Sequence, residues 1–175
     1  MILGLDVSTS FVGATVLEQD GTIVYCEAWD LRKVKGFFKK SQAVSDNLNL
    51  LYIKYNIKKV FIEESLQAFR PGFSSANTLM TLAKFNGTVS WICYNIFEIE
   101  PEFLGASTAR RLCGIKVPRG QKSKEVVLNY LLDNEDGFGI LYTVYGNPKP
   151  GSYDRADSLV IAKAGLSEWK KSLES

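Results

Sequence analysis

The run ILGLDV near the start of the chain is apolar except for one carboxylate, Asp6. A buried polar group without a partner costs about 2–7 kcal/mol, so Asp6 requires compensation. A hydrogen-bonding turn, a basic side chain or a cation would each supply it, and the adjacent Ser8-Thr9-Ser10 string offers the first of these. Other acids bear on the third. Glu63 and Glu64 end the apolar run VFIEE, and Asp154 and Asp157 lie in YDRADSLVIAKAG, three apart and so on one face of a helix. Taken singly, each has an ordinary explanation as a solvated strand end or as a first-turn acid favoured by the helix dipole. Taken together, they would crowd negative charge. Two unit charges 4 Å apart repel by roughly 4 kcal/mol at an effective dielectric of about 20. A divalent cation relieves that repulsion, and an all-oxygen ligand set favours Mg²⁺ or Mn²⁺ over zinc. Two such ions, about 3.5–4 Å apart, can clamp the attacking and leaving oxygens of a phosphodiester.

The composition narrows the chemistry further. The chain has no histidine, which excludes a Ser-His-Asp triad, a Cys-His pair, a histidine base and any imidazole metal site. Its working groups would be carboxylates, lysines, hydroxyls or a thiol. Three widely spaced cysteines, Cys26, Cys93 and Cys113, argue against a disulfide framework and suit a reducing compartment. No basic leader and no long apolar run is present, which predicts a cytoplasmic protein without a membrane span. The net charge is only +2, but basic residues cluster. Lys33, Lys35, Lys39 and Lys40 form one group, and Arg110, Arg111, Lys116, Arg119, Lys122 and Lys124 a second, with no acid between residues 103 and 124. Such stripes suit a polyanion-binding face as well as ordinary solvated loops.

At 175 residues, with 46% apolar and 23% charged side chains, the chain suits one globular domain over residues 1–175. MILGLDV reads as a central strand. FVGATVLEQ and TIVYCEAW flank Asp20-Gly21, a strong hairpin signal, so three antiparallel strands open the fold. Helical periodicity follows over about 38–55, with Val44, Leu48, Leu51 and Tyr52 on one face, and KKVFIEES is a fourth strand. The loop LQAFRPGFSSAN precedes a long apolar helix over about 74–95, capped by Ser74 or Ser75, whose Ala83 and Gly87 permit close approach of a neighbour. IFEIEP is the expected fifth strand, STARRL a short helix, KSKEVVLNYLLD another, and YDRADSLVIAKAGLSEWKKSL the last. This order predicts an α/β fold, a mixed five-stranded sheet made of an antiparallel meander plus parallel strands, flanked by helices.

ILGLDVSTSFVGATV, VFIEESLQAF and YDRADSLVIAKAG, in this order and spacing, resemble the RuvC family of Holliday-junction resolvases, within the RNase H-like nuclease superfamily. The long helix after the central glutamate and the KSKEVV segment extend the likeness over nearly the whole chain. The resemblance implies an RNase H-like fold with Asp6, Glu63, Asp154 and Asp157 as catalytic metal ligands for Mg²⁺ or Mn²⁺, two ions per site. It matches Lys122 to a lysine that helps bind the scissile phosphate, with Lys124 as its nearby substitute. It further implies a homodimer paired through the helix after Glu63, each subunit nicking one of two opposed strands of a four-way junction and leaving 5′-phosphates. Arg110, Arg111, Lys116, Arg119, Lys122 and Lys124 would then border the cleft and contact phosphates. Phe69, Arg70 and Phe73 would stack on bases at the junction centre, or else pack within their own loop or at a dimer contact.

Two features depart from the family pattern: Val7-Ser8 stands where Pro-Gly is usual, and Leu66 where a stacking aromatic is expected. Both leave the nuclease chemistry intact and bear on junction selectivity, and the resemblance with this divergence suits a phage, viral or organellar relative, in the cytoplasm of an infected host cell, as well as a bacterial enzyme in its own cell. Other readings are an RNase H-like nuclease acting on flaps, forks or RNA/DNA hybrids, and a DNA-binding module with a decayed site, against which the four acids argue. DVSTSFVG also suits the phosphate loop of an actin-like ATPase or sugar kinase, but such proteins need a second lobe and a second phosphate loop.

Overall fold

A computed structural model describes residues 1–65 and 76–174. Strands β1 (Ile2–Val7), β2 (Phe11–Leu17) and β3 (Ile23–Asp30) lead into helix α1 (Phe37–Lys54) and strand β4 (Lys59–Glu63). Helix α2 (Ala76–Phe97), strand β5 (Glu102–Leu104) and helices α3 (Ala106–Leu112), α4 (Ser123–Asn134) and α5 (Ser152–Glu174) complete it. The strands form one five-stranded sheet in the order β3-β2-β1-β4-β5. The β1–β2 and β2–β3 pairs are antiparallel, whereas β1–β4 and β4–β5 are parallel. This is the mixed sheet expected from the order of elements. Among the described residues no helix is long and apolar enough to cross a membrane.

Two cores lie on the two faces of the sheet, separated by the alternation of side chains along each strand. Leu3, Leu5, Val60 and Ile62 pack against α1 and α2 through Val44, Leu48, Phe85, Val89 and Cys93. Ile2 and Phe61 pack on the other face against α3, α4 and α5, through Ala109, Val127, Leu131, Leu159 and Ile161. Asp6 and Glu63 follow Leu5 and Ile62 in sequence and therefore belong to the second face, toward α5. That parity sets up the site.

The Asp20-Gly21 turn is closed by Thr22 N–H donating to the Asp20 carboxylate at 2.8 Å, with Gly21 at φ 100°. The fifth strand differs from expectation. IFEIEP is not a strand, because α2 continues through Phe97, whose burial extends the stripe of Phe85, Val89 and Cys93 by one more turn. Glu98 then takes a left-handed φ of 55°, and pairing with β4 begins only at Glu102. Tyr52 does not join Val44, Leu48 and Leu51 on the buried face of α1: it is 56% exposed, and its ring meets that of Phe97. Ala83 and Gly87 line the outer face of α2, away from the other described elements; a β-carbon on Gly87 would meet nothing within 4 Å. The expected caps Ser74 and Ser75 lie outside the described residues.

Candidate active site

The acids meet because three elements end at one place. Leu5 of β1 is in register with Ile62 of the parallel strand β4, so Asp6 and Glu63 come next on adjacent strands. Asp6 is also paired with Gly13 of β2. A β-carbon on Gly13 would collide with the carbonyl oxygen of Asp154, so the missing side chain lets the first turn of α5 rest directly on the sheet. Gly4 does the same one helical stretch later: a β-carbon there would lie 2.5 Å from the Ala162 nitrogen. Thr15 and Ser158 join their hydroxyls at 2.8 Å, and Arg155 Nε donates to the Cys26 carbonyl at 2.8 Å. These contacts fix the rotation of α5 and with it the direction of Asp154 and Asp157.

The serine turn does not neutralise Asp6. Ser8 donates its hydroxyl to the Phe11 carbonyl at 2.9 Å and accepts from the Phe11 N–H at 3.1 Å, closing the β1–β2 turn upon itself. Asp6 is left to its acidic neighbours. Burial, then the charges of Glu63, Asp157 and Asp154, hold its carboxyl well above the ordinary range, and among the described residues Lys124 opposes them. Burial and Asp157 push Glu63 to about 7 against the pull of Lys124 and Arg110. Asp154 and Asp157 are both raised, chiefly by burial, and Lys124 again opposes. Burial works against the charge on Lys124, but the four acids outweigh it and hold its ammonium above the usual lysine range.

Lys124 is the basic side chain drawn into the group, its Nζ 3.6 Å from Asp157 Oδ2. Lys122 sits at the N-cap of α4, with its side chain 81% exposed and paired to Glu125 at 2.9 Å. Arg110, half-buried on α3, lies close enough for Glu63 and Asp157 to feel its charge. Arg111, Lys116 and Arg119 are exposed along α3 and the segment before α4. Glu64 has left the strand: its N–H donates to the Leu104 carbonyl at 2.9 Å and its carboxylate stands 3.8 Å from where a Gly105 β-carbon would be. Phe69, Arg70, Phe73 and Leu66 lie outside the described residues.

A cavity of about 170 Å³ opens beside the acids, lined by Asp6, Ser8, Glu63, Ser65, Leu79 and Asn86. Sequence reasoning does not single out Asn86. It is 5% exposed and donates from Nδ2 to the Glu63 carbonyl at 2.9 Å, pinning the end of β4 to α2. The signal for it is a lone amide in the buried stripe of an apolar helix. Among the described residues no three acids stand close enough to form a ready-made cage. The donor chemistry nevertheless fits a hard divalent cation: carboxylates alone, each raised by burial, with Lys124 the principal positive charge opposing them.

No family model matches the chain. A curated relative does: the crossover junction endodeoxyribonuclease RuvC of Aliarcobacter butzleri (strain RM4018) is 32% identical over 128 residues, covering 72% of this chain and 77% of that protein. This chain belongs to the RuvC family. Solved RuvC structures share its fold. Thermus thermophilus RuvC in complex with a Holliday junction substrate superposes with a TM-score of 0.67 at 13% identity, over 97% of this chain and 94% of the other. The yeast mitochondrial Holliday junction resolvase superposes with a TM-score of 0.58 at 17% identity, over 99% of this chain and 80% of the other. The RuvC fold thus accounts for the meander, the parallel β4 and the helix α5 that crosses the sheet above Asp6.

Proposed function

We propose that this chain is a metal-dependent DNA endonuclease that resolves four-way junctions by paired nicks leaving 5′-phosphates. The observation that carries this reading is the convergence of Asp6, Glu63, Asp154 and Asp157 on the α5 face of the sheet in a member of the RuvC family. Residues 1–175 act as one nuclease domain, working in the cytoplasm. Asp6, Glu63, Asp154 and Asp157 would hold Mg²⁺ or Mn²⁺, two ions per site. Bound there, the metal supplies an activated water and charge stabilisation at the scissile phosphate. Partial burial of the four acids strengthens the charge interactions among them. Lys124 and Arg110 hold the scissile phosphate from the α3–α4 side, and Lys122 grips the backbone just outside. Arg111, Lys116 and Arg119 continue this track, contributing affinity without sequence information. Phe69, Arg70 and Phe73 are assigned to the junction centre on the family resemblance alone.

The test is cleavage of a synthetic four-way junction, a flap, an RNA/DNA hybrid and a linear duplex at one salt concentration, with Mg²⁺, Mn²⁺ or EDTA. Preferential, symmetric nicking of the junction that EDTA abolishes is expected. Equal cleavage of all four substrates would remove the junction selectivity and leave a broader RNase H-like nuclease. Cleavage in EDTA would remove the metal mechanism.

The nicks are paired because the protein acts as a homodimer through α2. Its outer face carries a stripe of Met80, Ala83, Gly87, Trp91 and Tyr94, in which Met80, Trp91 and Tyr94 are 56%, 61% and 50% exposed. The Trp91 and Tyr94 rings stack with centroids 6.2 Å apart, a flat apolar platform beside the small residues. Trp91→Arg is expected to weaken self-association by ~30-fold or more, the usual cost of losing a buried aromatic anchor. Sedimentation would show monomer, and nicks on the two strands would become uncoupled. An unchanged dimer would place the interface elsewhere.

A further inference from the structure

The segment between α4 and α5 is a surface feature that the nuclease site leaves unused. Residues 141–149 fold into a small β-hairpin. Lys149 N–H donates to the Leu141 carbonyl at 2.9 Å, Thr143 N–H to the Asn147 carbonyl at 2.8 Å, and Gly146 N–H to the Thr143 carbonyl at 3.0 Å. Four large apolar side chains project from it: Leu141, Tyr142, Val144 and Tyr145 are 66%, 53%, 94% and 87% exposed. A lone two-stranded hairpin is marginal in water, and none of the described residues covers these side chains.

Both ends of the hairpin are anchored near the acids. Phe138 before it is buried, with the Arg155 guanidinium 5.7 Å over its ring. Gly151 after it has φ 90°, and a β-carbon there would lie 3.0 Å from Ala28 Cβ and 3.3 Å from the Phe11 ring. Asp154 follows one helical turn later. The Phe11 ring also carries the Arg32 guanidinium, 4.7 Å from its centroid, so the hairpin foot and the turn that starts at Leu31 share this edge of the sheet. That turn continues into Lys33 and Lys35, both exposed, and Lys40 donates to the Thr9 carbonyl at the end of β1. Asp30 neutralises Arg32 at 2.6 Å. Beyond that pair, residues 31–45 and 137–153 contain no acid. The start of the early basic cluster thereby lies on the same edge of the sheet as the foot of the hairpin.

Resting on the nuclease reading above, we propose that this hairpin is a second DNA-contacting element, in which Tyr145 and Val144 pack on bases or sugars of an arm flanking the scissile strand while Lys33, Lys35 and Lys149 hold its phosphates. The chemistry is that of single-strand and junction readers, in which aromatic faces meet bases and cations meet the backbone. The commitment to DNA rather than a protein partner comes from the lysines in two stretches, residues 31–45 and 137–153, that carry no acid of their own, and from the short path to Asp154.

The experiment measures junction binding by fluorescence anisotropy in the Asp6→Asn protein with Mg²⁺, so that no cleavage intervenes. Adding Val144→Ser with Tyr145→Ser should raise Kd about tenfold or more and leave the salt dependence unchanged. Adding Lys33→Ser with Lys35→Ser should lower the slope of log Kd against log salt by about 0.9 for each phosphate no longer neutralised. A 2-aminopurine placed in the contacted arm should be quenched by the parent and not by the Tyr145 variant. These side chains are exposed, so melting temperatures should not move. If the parent binds the junction and both double variants match it in Kd and slope, the hairpin proposal fails and the nuclease reading stands. If the hairpin variants instead lower self-association with Kd unchanged, the surface belongs to a protein contact and the proposal is overturned. If the parent binds no DNA, the underlying reading fails with it.

Discussion

Asp6→Asn is expected to abolish junction cleavage and, in the same protein, to raise the stability of the metal-free fold at pH 8. Both effects come from one charge. Asp6 lies at the centre of the group and is the acid on which Glu63, Asp157 and Asp154 all act. If Asp6 holds the metal as proposed, its removal deletes several kcal/mol of transition-state stabilisation, and about 4 kcal/mol corresponds to a rate loss of roughly 10³-fold. Without metal, the same carboxylate is a burden, because burial and like charges hold it above its ordinary range. Asparagine preserves its shape without the charge. A gain of about 2 kcal/mol, or ~4–8 °C in melting temperature for a domain of this size, is expected in EDTA.

The pH dependence follows from the direction of these shifts. An unfolded glutamate titrates near about 4.3, whereas folded Glu63 is pushed to about 7. Between these values the folded state binds more protons than the unfolded one, so metal-free stability falls as pH rises through that window. The advantage of Asp6→Asn should accordingly be largest at pH 8 and shrink toward pH 5, where Glu63 is protonated and no longer repels Asp6. Mg²⁺ should raise the melting temperature of the wild type at pH 8 and leave the variant nearly unmoved. Calorimetry at the two pH values, with and without Mg²⁺, reads all of this. A wild type indifferent to Mg²⁺ and no less stable than the variant would remove the case for a cation among these acids.

Gly13→Ala is expected to be the most damaging substitution outside the acids. The added β-carbon has no room, because it would occupy the place of the Asp154 carbonyl oxygen on α5. Backbone cannot swing aside as a side-chain tip can, so β2 and α5 must separate. Overpacking of this kind costs typically 1–3 kcal/mol, and about 3 kcal/mol or more is expected where the obstacle is main chain. The shift also carries Asp154 and Asp157 away from Asp6 and Glu63. A displacement of about 1 Å at a reacting centre can cost ~10²-fold in rate. Urea titration together with single-turnover cleavage, at a temperature where the variant is fully folded, separates the two effects. Normal turnover in a destabilised variant would mean that the register of α5 on the sheet is not what aligns the acids.

Much of this molecule is legible as text. The alternation in ILGLDV and VFIEE, the Asp20-Gly21 turn and the helical stripe of α1 specify the sheet and its order by local rules of period and turn chemistry. The absence of histidine, with four acids in apolar settings, narrows the chemistry to carboxylates and cations. The fifth strand is misplaced by sequence because IFEIEP satisfies both periods. Burial of Phe97 decides for the helix, and that is a tertiary contact.

The tertiary structure also chooses among lysines. Lys122 and Lys124 are two residues apart in one basic run, and the family likeness favours the first. The packing of α4 on α5 turns Lys124 toward Asp157 and leaves Lys122 in solvent with Glu125. Asn86 behind Glu63, Gly13 beneath Asp154 and the hairpin against Phe11 are likewise products of packing between segments distant in the chain. Residue type and period are local and can be read along a strand or helix. Which acid faces which cation depends on the height and rotation at which α5 crosses the sheet, and that is set only when Gly4, Gly13 and the Thr15–Ser158 pair close beneath it.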